Sequence, residues 1–446
     1  MKLAALALAM LAGHSAHATN GMNLEAWGAK SAGMGGAGFG YDSGNSAIMN
    51  NPATLGLKPD GKSDLGLGIT LLAPDVTSSH VMAGSSDSGG DAYWMPTVSY
   101  VRRAGAFTWG IGMLAQGGMG TEYGAGSSLF AGGMSSTGTP VAMSGEDIRS
   151  EVGFGRLMLP LVWSPRPDLQ LSGQLDLAWA GMDLRMDVDG QTLGGMLGQG
   201  LVSGGLTSML PPSLDYARFD FSDASAMTGK AKSYGWGYKL GAHYQLSDRL
   251  GIGLTYHAKT RMSDMKTDGA TLRVVSGGMP MEMTGTLKVV DFQWPETYGI
   301  GLAYSPDDAW MWVLDVKRIN WSDAMRDFRM QFSAGPGMDI DVTMPQHWKD
   351  QTVFAAGVQY KLNRDIALRF GINQASNPVP DSTLNPLFPA TTERHYTFGI
   401  GWRLNASDSV AAALTLVPEA SDTNPLTGIT SDHSQHSLRI NYNHGF

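Results

Sequence analysis

From residue 61 to its end, most of this chain alternates apolar and polar residues one for one. Leu65, Leu67, Ile69 and Leu71 share one parity. The pattern is clearest at Tyr234, Trp236, Tyr238, Leu240, Ala242, Tyr244 and Leu246. It returns over 250–256, 298–304, 354–362, 366–372 and 396–404. Successive side chains of a strand point to opposite faces, so each run predicts a strand with one greasy face and one polar face. The last run sets Leu438, Ile440, Tyr442 and Phe446 against Ser437, Arg439, Asn441 and Asn443, with His444 alone out of step. An aromatic at the final residue suits a membrane interface, where the aromatic girdles of outer-membrane barrels lie.

Each run is close to the roughly 9–11 residues that a tilted strand needs to cross the hydrocarbon. Their polar positions carry Gly, Lys, His, Gln, Arg and Asn, which suit a wet interior. Short turns are expected at 103–105, 164–168, 247–248, 305–308, 363–365 and 405–408. Long segments alternate with them, near 73–91, 117–149, 187–232, 264–291, 322–350, 375–392 and 418–434. Short turns on one side and long loops on the other make the asymmetry of a bacterial outer-membrane barrel. The expectation is an all-β, fourteen-stranded antiparallel transmembrane barrel over 61–446, with both ends on the periplasmic side. No stretch is long and apolar enough for a spanning helix, and only helices or closed barrels satisfy the backbone in lipid.

The first sixty residues read differently. Lys2, the apolar run 3–11 and Ala16-His17-Ala18 make a secretory signal peptide over 1–18, with Thr19 as the mature start. Residues 19–60 hold a run of small residues from Ser31 to Gly38 and the turn Asn51-Pro52-Ala53. Too poor in bulk for a core and in charge for a disordered tail, this piece is expected to pack inside the barrel as a hatch. Composition adds little more. Glycine is abundant (59 residues) without a collagen period, cysteine is absent, and the net charge of −9 offers nucleic acid no basic footprint.

These residues resemble the outer-membrane transporters of hydrophobic compounds of the FadL/TodX (OMPP1) type. The likeness rests on the order of several short pieces: the Ala32–Gly38 run with Asn51-Pro52-Ala53, Gly118-Met119-Gly120-Thr121-Glu122-Tyr123, Gly155-Arg156-Leu157 and Gly235-Trp236-Gly237-Tyr238. Trp294-Pro295-Glu296, Asn320-Trp321-Ser322, Trp348-Lys349-Asp350 and Arg369-Phe370-Gly371 with Pro378-Val379-Pro380 continue the series. The resemblance implies a fourteen-stranded barrel closed by an N-terminal hatch. It also implies capture of substrate at extracellular loops, an apolar pocket and sideways release into the outer-membrane lipid. Long-chain fatty acids are the first expectation and aromatic hydrocarbons of the toluene or xylene type the alternative.

Candidate residues follow from chemistry. For capture, the two long segments beyond 117 and 187 hold Met119, Leu129, Phe130, Met134 and Met143, then Leu193, Met196, Leu197, Leu201, Leu206, Met209 and Leu210. Exposed apolar surface of this extent binds something or packs on itself, and methionine adapts to varied shapes. Leu193, Met196, Leu197 and Leu201 sit at helical spacing. For a carboxylate, Lys317 and Arg369 lead the inward-facing set of Lys239, Lys317, Arg369, Arg403 and Arg439, with Asp176 and Asp315 alongside. The plainer reading is that such charges pair with one another and with the hatch. For lateral exit, Pro160 cannot donate to a ladder, and Gly110 and Gly112 lie in the strand before it, so a gap is expected between the third and fourth strands; a plain bulge would read the same way. For the hatch, Gly35 and Gly36 permit close packing, and Asn51, Pro52 and Ala53 fix a turn.

An outer-membrane lipase is the rival class. The chain has no Gly-x-Ser-x-Gly elbow, no His-Glu-x-x-His and no phosphate loop. The expectation is therefore no enzyme, no metal and no cofactor, in a monomer whose partners are a hydrophobic small molecule and the surrounding lipid.

Overall fold

The computed structural model describes residues 20–132, 139–223 and 229–446; the expected signal peptide and Met134 lie outside them. The alternating runs form long strands: β1 (Ser63–His80), β2 (Tyr93–Ala104), β3 (Phe107–Tyr123), β4 (Ile148–Arg166), β5 (Leu169–Asp189), β6 (Ala231–Ser247), β7 (Leu250–His257) and β8 (Met265–Ser276). They continue as β9 (Met279–Val290), β10 (Thr297–Tyr304), β11 (Trp310–Ile319), β12 (Gln351–Lys361), β13 (Ile366–Ala375), β14 (Arg394–Arg403), β15 (Asp408–Thr423) and β16 (Thr430–Gly445). Neighbours in sequence pair antiparallel, except that β7 pairs directly with β10. The sheet closes where β16 meets β1 along its whole length, with Ile69 opposite Ile440 and Leu67 opposite Tyr442.

The barrel is all-β and closed, but the expected count of fourteen is corrected. Sixteen strands among the described residues run eight residues or more. The two extra are β8 and β9, in the stretch 264–291 expected as a long connection. Its alternation is masked by polar and small residues on one face and by paired apolar positions such as Val274-Val275. This hairpin extends the wall on the long-connection side, pairing with β6, with Tyr216–Phe221 and with Asp327–Ser333. The stretch 322–350 likewise contains a hairpin, Asp327–Ser333 with Asp339–Pro345.

Alternation does what it predicted for the rest of the wall. On β6, Tyr234, Trp236, Tyr238 and Leu240 are exposed on the outside, while Lys239 and His243 are buried inside. On β16, Leu438 and Ile440 face out and Ser437 and Arg439 face in. Exposed aromatics gather at the short-turn rim, among them Trp109, Trp163, Trp312, Trp402 and Phe446, and Trp94, Tyr234 and Trp236 stand near the other end. Tyr234 and Tyr244 bracket about 25 Å of height at ~3.3 Å per residue and ~40° of tilt, the thickness of the apolar band of such barrels.

Residues 20–58 lie inside, against wall residues from opposite sides. The Gly371 Cα is so close to Gly35 that an added Cβ would sit 2.1 Å from the Gly35 nitrogen. Across the barrel, a Cβ on Gly253 would sit 1.7 Å from the Phe39 carbonyl oxygen. Much of the glycine excess is thereby explained: inward-facing wall glycines make room for a buried chain.

Candidate functional site

Pairing between β2 and β3 stops short. It runs from Ala104–Phe107 up to Val98–Met113 and no further. Above that level Tyr93–Thr97 stays with β1, where Pro96 stands opposite Ile69, and Pro96 has no N–H to offer a neighbour. Upper β3 stays with β4, and a bulge at Gln116 bends it. Its free edge is taken from inside by the N-terminal segment: the Leu24 N–H donates to the Gln116 carbonyl at 3.2 Å and the Gly118 N–H to the Met22 carbonyl at 3.0 Å. A side chain at Gly117 would strike the Met22 carbonyl oxygen at 2.0 Å, so that approach requires glycine. The wall is open between β2 and upper β3.

Behind the opening lies a cavity of about 290 Å³. Met22 and Leu24 of the N-terminal segment form one side and Val152, Phe154 and Trp179 another. Leu72, Trp94, Met113 and Leu114 frame the opening. Trp94 is 58% exposed and Met113 38%, so the cavity runs from the interior to the lipid-facing surface. Among the described residues, no Lys or Arg lines it. The charged side chain on its lining, Glu151, is held by Arg149, and His433 uses Nδ1 on the Pro389 carbonyl at 2.9 Å.

A stack of aromatic rings starts from Phe154 on the cavity lining. Phe154 packs on Trp294 at 4.5 Å, Trp294 on Trp321 at 5.8 Å and Trp321 on Trp348 at 5.2 Å between centroids. The three Trp-bearing motifs, far apart in sequence, thus meet as one stack. Trp294 Nε1 donates to Asn23 Oδ1 at 2.8 Å and ties the N-terminal segment to it.

The structure brings only some of the candidate residues here. Met119 lines the cavity. Phe130 packs on Tyr123 at 4.4 Å, and Met196 packs half-buried against the core from the helix Gly190–Gly198. That helix begins on Asp189, whose carboxylate accepts the Thr192 N–H at 3.0 Å, and it ends before Leu201. Met209 is 58% exposed and away from the cavity.

The two leading cations lie elsewhere. Lys317 is buried, its ammonium 5.5 Å from the Trp27 ring centre. Arg369 donates through Nε to Gln359 at 2.8 Å and lines a separate cavity of about 340 Å³ at the short-turn mouth. Arg403, expected inside, is at the rim in an ion pair with Asp365 at 3.2 Å, because β14 ends there.

The strand pair named for lateral exit does carry a break. The β3–β4 ladder runs to Trp109–Leu161 and resumes at Gly112–Met158, leaving Gly110 and Ile111 unpaired opposite Pro160 and Leu159. Register is unchanged across it, so this gap is narrow. Neither glycine nor Pro160 lines the 290 Å³ cavity. The wider opening falls one strand earlier than expected.

Residues of the N-terminal segment are pinned from all round. Gly35 has φ 72° and a Cβ there would lie 2.2 Å from the Ile372 oxygen; for Gly36, φ 84°, the obstacle is the Glu25 oxygen at 2.3 Å. The Gly35 N–H donates to Thr397 Oγ1 at 2.8 Å. Asn51 Oδ1 caps the Ala53 N–H at 3.2 Å as Pro52 starts a 3-10 turn, and its Nδ2 donates to the Phe39 carbonyl at 2.9 Å.

One anchor escaped the sequence reading. Glu25 takes both guanidinium nitrogens of Arg439, at 2.6 and 2.8 Å, and accepts the Thr415 hydroxyl at 2.9 Å. Burial pushes the Glu25 carboxyl up, but the Arg439 guanidinium overrides it and holds the group at about 2. The available signal was that Glu25 is the only carboxylate between residues 19 and 41.

Comparison with known proteins decides the family. The model of the outer membrane protein transport proteins (OMPP1/FadL/TodX) matches residues 202–443, more than half of the chain. The chain belongs to the OMPP1/FadL/TodX family. The crystal structure of the P. putida toluene transporter TodX is 28% identical with a TM-score of 0.82, covering 95% of this chain and 99% of that one. The Ralstonia pickettii toluene transporter TbuX gives 29% and 0.79, over 95% and 99%. An uncharacterized Chlorobium limicola protein, from the 5′ region of a phosphoenolpyruvate carboxykinase gene, is 60% identical over 74 residues. That match covers 16% of this chain, which spans only 36% of the length of that curated relative. As an OMPP1/FadL/TodX protein the chain is an outer-membrane barrel and not an enzyme. No helix among the described residues is long and apolar enough to cross a membrane; the strands cross it. Outer-membrane transport of hydrophobic compounds is the activity that family and fold support together.

Proposed function

We propose that this OMPP1/FadL/TodX protein passes small neutral aromatic hydrocarbons, of the toluene kind, through the 290 Å³ cavity and sideways into the outer membrane between β2 and β3. The carrying observation is the lining: apolar and aromatic, reaching the lipid face, with no Lys or Arg on it among the described residues. A carboxylate there would be desolvated without a partner, at a cost of several kcal/mol. A neutral ring meets no such penalty. An apolar cavity of about 150 Å³ is enough to hold benzene, so the space here suits one substituted ring. The toluene transporters among the structural relatives support the same substrate class.

In this reading residues 19–60 act as the hatch, closing the straight route to the periplasm, while the apolar segments around Phe130, Met196 and Met209 receive substrate outside and Met119 meets it in the cavity. Release into the bilayer needs no energy source, because each step moves the hydrocarbon to surroundings at least as apolar.

Long-chain fatty acid is the second reading. It would have to use Lys317 or Arg369, both off the cavity, to fix its head. Uptake decides between them, in cells that lack their own route and express this protein, with labelled toluene compared against labelled long-chain fatty acid. Toluene entry that survives Lys317→Ala and Arg369→Ala is the expected result. Fatty-acid entry that either substitution abolishes would overturn the hydrocarbon assignment.

A further inference from the structure

Three lysines stand in a row on the outside of the barrel. Lys232 on β6 pairs directly with Lys266 on β8, and Lys266 pairs in turn with Lys288 on β9. Their neighbours along each strand, Ala231 and Ser233, Met265 and Thr267, Leu287 and Val289, are buried, so by alternation all three lysines point outward. Adjacent strands lie about 4.8 Å apart, which places three ammonium groups across roughly 10 Å. Like charges directly opposite one another destabilise a sheet. Here that happens twice in succession.

No carboxylate among the described residues closes on the row. None of the three lysines makes an ion pair among the described residues, and the acids nearby are engaged or apart. Asp291 pairs with Arg329 at 3.5 Å. Asp264 accepts the Asp291 N–H at 3.2 Å. Asp268, two positions further along the face that carries Lys266, is exposed and forms no ion pair.

The height of the row says what it meets. Lys232 is two positions beyond Tyr234 on the same outward parity, about 7 Å along the strand toward the long connections. Tyr234 is 69% exposed and Trp236 41%, and such rings mark the headgroup level of the outer leaflet. Exposed Arg261 stands opposite Trp236 at the girdle itself, its guanidinium 5.1 Å from the ring centre. A cationic row just above an aromatic girdle is placed at the phosphates of the lipid, not in its hydrocarbon.

We propose that Lys232, Lys266 and Lys288 form a binding site for the phosphorylated sugar headgroup of the outer-leaflet glycolipid, lipid A. A phosphate group carries more than one negative charge and several acceptor oxygens, so one group bridging the row converts two repulsive pairs into charge-assisted hydrogen bonds. The site lies on β6, β8 and β9, on outward faces away from the opening between β2 and β3, and is independent of the substrate reading.

The test is native mass spectrometry of the full-length barrel in detergent, titrated with bisphosphorylated lipid A. Monophosphorylated lipid A and inorganic phosphate serve as separate probes. Folding of each variant is checked by its heat-modifiable mobility. At ~1 kcal/mol per lysine near a charged surface, K266Q is expected to bind lipid A about fivefold more weakly and the triple K232Q/K266Q/K288Q on the order of a hundredfold, while K266R stays near wild type. Monophosphorylated lipid A keeps one phosphate to bridge the row and should still bind. Equal lipid A binding by wild type and a folded triple variant would overturn the site. Inorganic phosphate binding as well as lipid A would overturn the lipid assignment.

Discussion

Two sides of this barrel treat the same buried segment in opposite ways. On the side of β12 to β14, wall and segment are pressed together. Gly371, Gly357 and Gly399 leave no room for a Cβ against residues 33–35, and Thr397 and Asn373 bind the backbone of Gly35. On the side of β2 to β4 the wall opens, β3 leaves β2 for the N-terminal segment, and bulky Leu114, Phe154 and Trp179 surround an empty space. The difference is one of side-chain volume against backbone contact. Glycine faced with glycine gives a tight, hydrogen-bonded seam. Large apolar side chains around a missing ladder give a cavity, because their backbones cannot approach.

The largest blow to the tight side is expected from Glu25→Gln, which leaves the Arg439 guanidinium buried without its counter-charge at a cost of about 3–5 kcal/mol. Limited proteolysis of the folded barrel would then cut within residues 20–60, where the wild type resists. The same pair sets a pH dependence. Its folded value of about 2 lies below the ordinary 4.5, so its contribution is full above 4.5 and lost as pH falls toward 2. Protection of the segment should accordingly weaken at pH 3 relative to pH 7, and the Glu25→Gln protein should lack that component.

Gly35→Val attacks the seam through the backbone. A side chain at φ 72° that also meets the Ile372 oxygen at 2.2 Å should cost about 1–3 kcal/mol or displace the turn. The expected readout is protease access to the segment with barrel mobility unchanged.

On the open side, Leu114→Trp fills the cavity. Overpacking costs about 1–3 kcal/mol, and toluene uptake should fall while the barrel still folds. Uptake unaffected by a folded Leu114→Trp protein would place the route elsewhere. The smallest effect belongs to Pro160→Val, which restores a donor to the narrow break opposite Gly110 and should stabilise by about 1 kcal/mol at most. Uptake is expected to stay near wild type, since the wider opening lies between β2 and β3. A marked loss would move the exit back to β3 and β4.

Much of the wall was legible because a strand's period of two is local. Tyr234-x-Trp236-x-Tyr238 needs no knowledge of the rest of the chain to declare a lipid face. The hairpin β8/β9 was lost for the converse reason: beyond the hydrocarbon no lipid face is demanded, and Lys266, Asp268 and Glu282 leave its outer face polar. Of the candidate residues, Met119, expected in an outer capture segment, lines the cavity from β3 instead, and Lys317 and Arg369 lie off it. Their inward parity was right, but parity says nothing about height within the lumen. Glu25 and Arg439, 414 residues apart, could be joined only once β16 had closed on β1.

Sequence by itself determined that this chain is a membrane barrel with greasy outside and polar inside, where its short turns fall, and that its N-terminal part differs from the rest. Alternation, turn chemistry and composition are properties of neighbouring residues, and each points one way. Tertiary structure decided where the ladder fails, what fills the lumen and which side chains share a cavity. Those follow from closure of the sheet, which sets every distance across the barrel at once and appears in no local pattern.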